Sequence, residues 1–244
     1  MPAIDILAIA AHRDDVEQTC GGTLLVQRAL GWRTGIVDLT QGESGTRGSA
    51  AERAAEATEA ARILGVTHRE ALDLPDGNIQ NTYDNRLKLA AALRRLRPRV
   101  VILPYWQGRH PDHYTTATLG YEACFIAGLS RLTLPAEYGA EGLAPHRPYK
   151  ILYASLYADV RPTFVIDITA HIETRQQALL AYRSQYGNQA DGSGLFVPEE
   201  DIRERMFSTA RHYGLLAGVR YAEPFVQKEV ALAGDLMTLP VQSI

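Results

Sequence analysis

The chain has 244 residues, 46% apolar and 22% charged, with 25 Lys+Arg against 28 Asp+Glu for a net charge of −3. This is the profile of a globular protein with enough chain to bury a substantial core. It argues against nucleic-acid binding, which draws on a basic surface.

The longest basic tract, Arg94 to Arg99, reads as a helix end, where cations favour the C-terminal dipole. Cys20 and Cys124 are far apart and form no Cys-x-x-Cys pair. A disulfide framework is therefore not expected, and a reducing, cytoplasmic setting is. The opening MPAIDILAIAAH has no basic leader or cleavage site, and it turns polar too soon to cross a bilayer. It reads as a buried strand, and no membrane partner is expected.

In chain order, residues 4–10 are a short apolar run, hence a central strand. A helix over 21–30 and a strand over 34–39 follow. The Gly- and Ser-rich loop 41–49 leads into an Ala/Glu/Arg helix over 50–64. Next come a strand over 68–74, a loop over 75–81 and a helix over about 84–96 that Pro98 ends. Residues 99–103 form another strand. His110-Pro111-Asp112 opens a helix running to about 128, with Pro suited to its first turn. Two further strands, 149–157 and 163–168, are joined by the turn 158–162. Helices over about 170–186 and 199–216 complete the body, and 130–148 and 187–198 read as loops. The β-α alternation predicts a single α/β domain over 1–244, Rossmann-like, with a mostly parallel sheet and helices on both faces.

Open parallel sheets bind ligands beyond the carboxyl ends of their strands. Two such ends are loaded here. The strand over 4–10 runs into Ala11-His12-Arg13-Asp14-Asp15-Val16-Glu17, and the strand over 99–103 runs toward His110-Pro111-Asp112-His113. A catalytic zinc takes three protein ligands and keeps one position open. His12 and Asp15, three apart after a strand, supply two, and His113 supplies the third from the neighbouring crevice. Asp14 is left as a carboxylate beside the metal, which is what a general base requires. His110, three residues before His113, is free to face substrate. Asp112 is expected to hold it protonated, so that it steadies an oxyanion and then protonates the leaving amine. Cys20-Gly21-Gly22 reads as close packing at a helix start. His68, His146, His171 and His212 read as structural.

These segments resemble the LmbE-like/PIG-L family of zinc N-deacetylases. The family's opening motif, Ala-His-Pro-Asp-Asp-x-Glu, is matched by Ala11 to Glu17 except at Arg13, and its His-Pro-Asp-His motif is matched in full by His110 to His113. Gly21-Gly22-Thr23, Asp38-Leu39-Thr40, Ala61 to Val66 and Gly218 to Glu223 are similar to the bacillithiol-biosynthesis branch, which removes acetate from N-acetylglucosaminyl-malate. The resemblance implies one zinc per chain on His12, Asp15 and His113. It implies Asp14 as base, His110 as oxyanion-stabilising acid and Asp112 as its partner. It also implies that Arg53 lies near the sugar, that Asp76 accepts from a sugar hydroxyl, and that the chain forms a homo-oligomer, a trimer or hexamer. Arg13 replaces a proline that would stiffen the turn, so it faces either a substrate carboxylate or solvent.

Three other readings compete. One is the same chemistry on a disaccharide or inositol conjugate. Another is a non-catalytic sugar- or nucleotide-binding module, against which the intact base and ligand set argues; the first loop also lacks Gly-x-Gly-x-x-Gly. The third is a redox iron enzyme using two His and one carboxylate.

Overall fold

The computed structural model describes residues 3–156, 158–187 and 199–241. In chain order the strands are β1 (Ile6–Ala10), β2 (Thr34–Asp38), β3 (His68–Ala71), β4 (Val100–Pro104), β5 (Lys150–Ala154), β6 (Phe164–Asp167) and β7 (Ala222–Val226). The helices are α1 (Asp15–Thr19), α2 (Gly21–Ala29), α3 (Ala50–Leu64), α4 (Tyr83–Leu96), α5 (Pro111–Ala127), α6 (Ile172–Leu180), α7 (Arg183–Tyr186) and α8 (Glu199–Leu216).

The strands form one sheet in the order β3-β2-β1-β4-β5-β7-β6. β1 to β5 run parallel, and β7 lies antiparallel to both of its neighbours. The fold is the expected α/β class. β1 is buried along its whole length, because helices cover both faces. Its side chains alternate between two cores. Leu7 and Ile9 join Val37, Val101 and Leu103 against Leu89 and Leu93 of α4 and Leu119 of α5. Ile6 and Ala8 join Ile36 and Ile102 against Leu24 of α2 and Leu64 of α3. Each fully buried side chain of this size contributes roughly 1.5–3 kcal/mol.

Local signals set the helix ends. Ser49 and Glu52 form a capping box at the start of α3, and Gly65 ends it at φ 65°. Glu223 lies at the start of α2, accepting from the backbone N–H of Gly22 at 2.8 Å and Thr23 at 2.6 Å. A Cβ on Gly22 would stand 2.8 Å from that carboxylate, so the close packing read at this helix start is present. In the basic tract, Arg94 donates to carbonyls at the end of α5 and just beyond it, those of Ala127, Leu129 and Leu132. Arg95 pairs with Glu70.

Three elements differ from expectation. The strands over 149–157 and 163–168 are not neighbours, since β7 inserts between β5 and β6. β7 carries Pro224, which lacks a donor N–H and marks a sequence against a central strand. It is tolerated because β5 pairs only with Phe225 and Val226. The helix expected over 170–186 is broken into α6 and α7 by Tyr182, which is fully buried with its hydroxyl 3.3 Å from Glu17. The short helix α1 follows β1 after a turn over residues 11–14. Residues 188–198 of the loop expected over 187–198 lie outside the described residues. Among the described residues, no helix is long and apolar enough to cross a membrane.

Chain order reverses at β1: β2 and β3 lie to one side, β4 and β5 to the other. The carboxyl ends of β1 and β4 therefore open one crevice, at the switch point where such sheets bind ligands.

A buried ion network underlies that crevice. Arg69 of β3 holds Glu17 at 2.7 Å and Asp38 at 2.8 Å. Burial pushes the Glu17 carboxyl up to about 7, against the pull of Arg69. Removing this cation takes the ion-pair partner from two buried carboxylates. Arg69→Met is therefore expected to cost about 3–5 kcal/mol, seen as a lower urea midpoint at unchanged m-value. A wild-type midpoint would contradict this account of the network.

Candidate active site

Beyond Ala10 the chain makes a tight turn. The His12 N–H donates to Asp15 Oδ2 at 2.9 Å, which fixes both residues on one side. Arg13 is buried and donates to the carbonyl of Ala50, the first residue of α3, at 3.0 Å. It thus ties the turn to a neighbouring helix and does not point to solvent. At the end of β4, His110 is the N-cap of α5 and Pro111 its first residue. This directs the buried Asp112 and His113 back toward β1.

The two ends meet. His113 Nε2 stands 3.3 Å from His12 Nδ1 and 3.1 Å from Asp15 Oδ1, and His12 Nδ1 stands 3.5 Å from Asp15 Oδ2. Metal–ligand bonds of 2.0–2.2 Å at tetrahedral angles require ligand atoms about 3.3–3.6 Å apart. Two imidazole nitrogens and one carboxylate, each of whose oxygens faces one histidine, lie near this spacing and could hold a divalent cation. The electrostatics ask for positive charge at the same place. Burial opposes protonation of His12, yet the Asp15 charge and hydrogen bonds to Asp112, Asp15 and Asp76 push it up to about 12. Burial likewise opposes ionisation of Asp15, but His113 and His12 hold its carboxyl well below the usual range.

The other nitrogen of His12 is held from behind. Its Nε2 lies 3.2 Å from Asp112 Oδ2 and 3.1 Å from Asp76 Oδ1. Asp112 also accepts from the N–H groups of Gly77 at 2.8 Å and Ile79 at 3.1 Å, and Asp76 accepts from Ser44 N–H at 2.9 Å. A carboxylate on the far nitrogen of a ligating His fixes its tautomer and orientation. The Asp112 carboxylate thus faces His12, while its backbone N–H faces His110. Asp76 lines the pocket but commits its oxygens to His12 and Ser44.

His110 Nδ1 accepts from the Asp112 backbone N–H at 3.2 Å. In the neutral ring the proton then sits on Nε2. Burial, together with His12 and His113, lowers the His110 pKa, while Asp112 and Asp15 raise it.

Asp14 lies beside the His12–Asp15–His113 triangle, on the wall of an open pocket of about 340 Å³. Burial and the adjacent Asp15 raise its pKa, opposed by Arg53, Tyr186 and His12. The Tyr186 phenol and Gln18 Nε2 donate to Asp14 Oδ2. Arg53 is buried on the same wall, with Nη2 3.8 Å from Asp14 Oδ1 and Nη1 2.8 Å from the Gly42 carbonyl. Gly42, at φ 73°, lets the guanidinium pass, since a Cβ there would lie 2.0 Å from Nη1. The structure thus brings His12, Asp14, Asp15, Arg53, Asp76, His110 and His113 to one pocket, with Asp112 behind them. Tyr186 and Gln18 escaped sequence reasoning. Tyr186 carries no local signal, being one tyrosine at a helix end 172 positions from Asp14.

Residues 7–124, which span both strand-end motifs, match the family model "PIG-L: GlcNAc-PI de-N-acetylase". A diacetylchitobiose deacetylase of Thermococcus kodakarensis is 30% identical over 232 residues, covering 89% of this chain and 80% of that protein. A 1D-myo-inositol 2-acetamido-2-deoxy-alpha-D-glucopyranoside deacetylase of Mycolicibacterium vanbaalenii is 27% identical over 242 residues, covering 79% and 84%. Among solved structures, the conserved protein TT1542 from Thermus thermophilus superposes with a TM-score of 0.84 at 39% identity, covering 96% of this chain and 98% of that one. The chain belongs to the PIG-L (GlcNAc-PI de-N-acetylase) family and is an N-deacetylase.

Proposed function

We propose that the protein is a zinc-dependent deacetylase of an N-acetylglucosamine conjugate, with N-acetylglucosaminyl-malate of bacillithiol biosynthesis as its substrate. One observation carries the metal-dependent chemistry. The ligand triangle of His12, Asp15 and His113 lies beside a carboxylate, Asp14, that the triangle does not use, and both face the same pocket. The malate conjugate rests on the resemblance of the sequence to that branch. Arg53 adds a buried cation to the pocket wall.

Zinc held by the triangle would polarise the acetamide carbonyl and lower the pKa of water toward ~7. The protein's own groups do the rest. Asp14 takes a proton from the attacking water as its oxygen bonds to the acetyl carbon. His110 donates its Nε2–H to the carbonyl oxygen as negative charge develops there. The C–N bond then breaks, and the proton held by Asp14 passes to the departing amine. The products are acetate and the free amino sugar. Asp112 and Asp76 are positioning residues that hold His12, and Arg53 orients the sugar conjugate.

Self-association into a trimer or hexamer is part of this reading. Val230, Leu232 and Met237 are 96%, 97% and 91% exposed in the closing segment. Exposed apolar side chains in this segment support that reading. Sedimentation analysis reports the assembly, and a monomer at micromolar concentration would contradict it. A reducing, cytoplasmic setting fits two free, buried cysteines.

The reading is tested by acetate release from a panel of acetamido sugars, run with the wild type and Asp14→Asn. N-acetylglucosaminyl-malate is expected to give the highest kcat/KM. Asp14→Asn is expected to keep its metal and lose roughly 10²-fold or more in kcat, the scale of a general base. A fully active variant would remove Asp14 from that role. A diacetylated disaccharide or an inositol conjugate as the best substrate would replace the malate conjugate.

A further inference from the structure

Tyr186 is the last residue of α7, a helix of four residues that is too short to hold itself. It is held by its neighbours. Ser184 donates through its backbone N–H and its hydroxyl to Glu56 of α3, both at 2.7 Å. Gln185 Nε2 donates to the Arg47 carbonyl at 2.8 Å. The Tyr186 ring packs beside Ala57, Ala60 and Tyr182. The phenol therefore arrives at the pocket from a clamped base.

At the pocket the phenol donates to Asp14 Oδ2, the oxygen that also accepts from Gln18 at 3.3 Å. Oδ1 faces the Arg53 guanidinium at 3.8 Å, outside hydrogen-bond range. The terminal torsion of an aspartate is broad and roughly two-fold, so an unanchored carboxylate turns easily. Two donors on one oxygen stop that rotation.

We propose that Tyr186 is a positioning residue for deacetylation: its phenol ties down Oδ2 of Asp14 and leaves Oδ1 as the oxygen presented to the attacking water. The proposal rests on the reading of Asp14 as the base. Proton transfer depends steeply on the placement of the accepting atom, and small displacements are costly in rate. The effect should therefore fall on the chemical step and leave substrate binding alone. The ring without the hydroxyl keeps the packing, so Tyr186→Phe isolates the hydrogen bond.

The test compares zinc-loaded wild type, Tyr186→Phe, Asp14→Asn and the double variant. It reads kcat, KM, zinc per chain and the urea midpoint. Tyr186→Phe is expected to lower kcat by about tenfold, with KM within about twofold, as loss of a transition-state interaction requires. Zinc content and midpoint should stay at wild-type values. On the Asp14→Asn background the same substitution should change kcat by less than about twofold, because coupled residues are non-additive. An unchanged kcat in Tyr186→Phe would overturn the proposal. So would loss of zinc, or a further tenfold fall on top of Asp14→Asn. Failure of the base reading itself would show separately, as a fully active Asp14→Asn.

Discussion

His12 presents its two ring nitrogens to two different environments, and the rest of the site depends on that division. Nδ1 faces His113 and Asp15, while Nε2 faces Asp112 and Asp76. The carboxylates behind it fix which nitrogen carries the proton, so Nδ1 is free to offer a lone pair forward. Counting Asp14, four carboxylates surround this imidazole, with Arg53 as a fixed cation on the pocket wall. Such a cluster is costly to bury without a balancing positive charge. The raised pKa of His12 expresses that demand in protonic form. A divalent cation in the triangle meets the same demand.

The fold makes the division possible by where it ends its strands. β1 and β4 are hydrogen-bonded neighbours, so their carboxyl ends deliver His12 and Asp15 from one side and His113 from the other. Rigid support then comes from several directions. Arg13 ties the β1 turn to α3, the Arg69 network lies under Glu17, and α5 begins at a proline that directs Asp112 and His113 inward. Loop 75–79 adds backbone donors to Asp112 and brings Asp76 to His12. The reacting groups are thus held by elements that are themselves packed, as a preorganised site requires.

Much of this was legible in the sequence, because the informative signals are local. The apolar run of β1, the capping box of α3 and the His-Pro start of α5 each follow from a few neighbouring residues. The two motifs at adjacent strand ends pointed to one pocket for the same reason. What escaped depends on long-range contacts. Pro224 hid β7, whose place is set by pairing with β6. Burial of Tyr182 against Glu17 splits α6 from α7. Asp112 lies two positions from His110, and its backbone N–H does meet that ring, but spacing along the chain does not announce where its carboxylate goes. It reaches His12, 100 positions earlier.

The central claim is that His12 Nδ1, Asp15 and His113 Nε2 hold one zinc ion. Anomalous diffraction collected on either side of the zinc absorption edge tests it most directly. The account predicts a single strong peak per chain at about 2.0–2.2 Å from these three ligands, with Asp112 and Asp76 remaining on His12 Nε2. A peak on the Nε2 side, between Asp76 and Asp112, would contradict it, as would an absence of anomalous signal in protein that releases acetate.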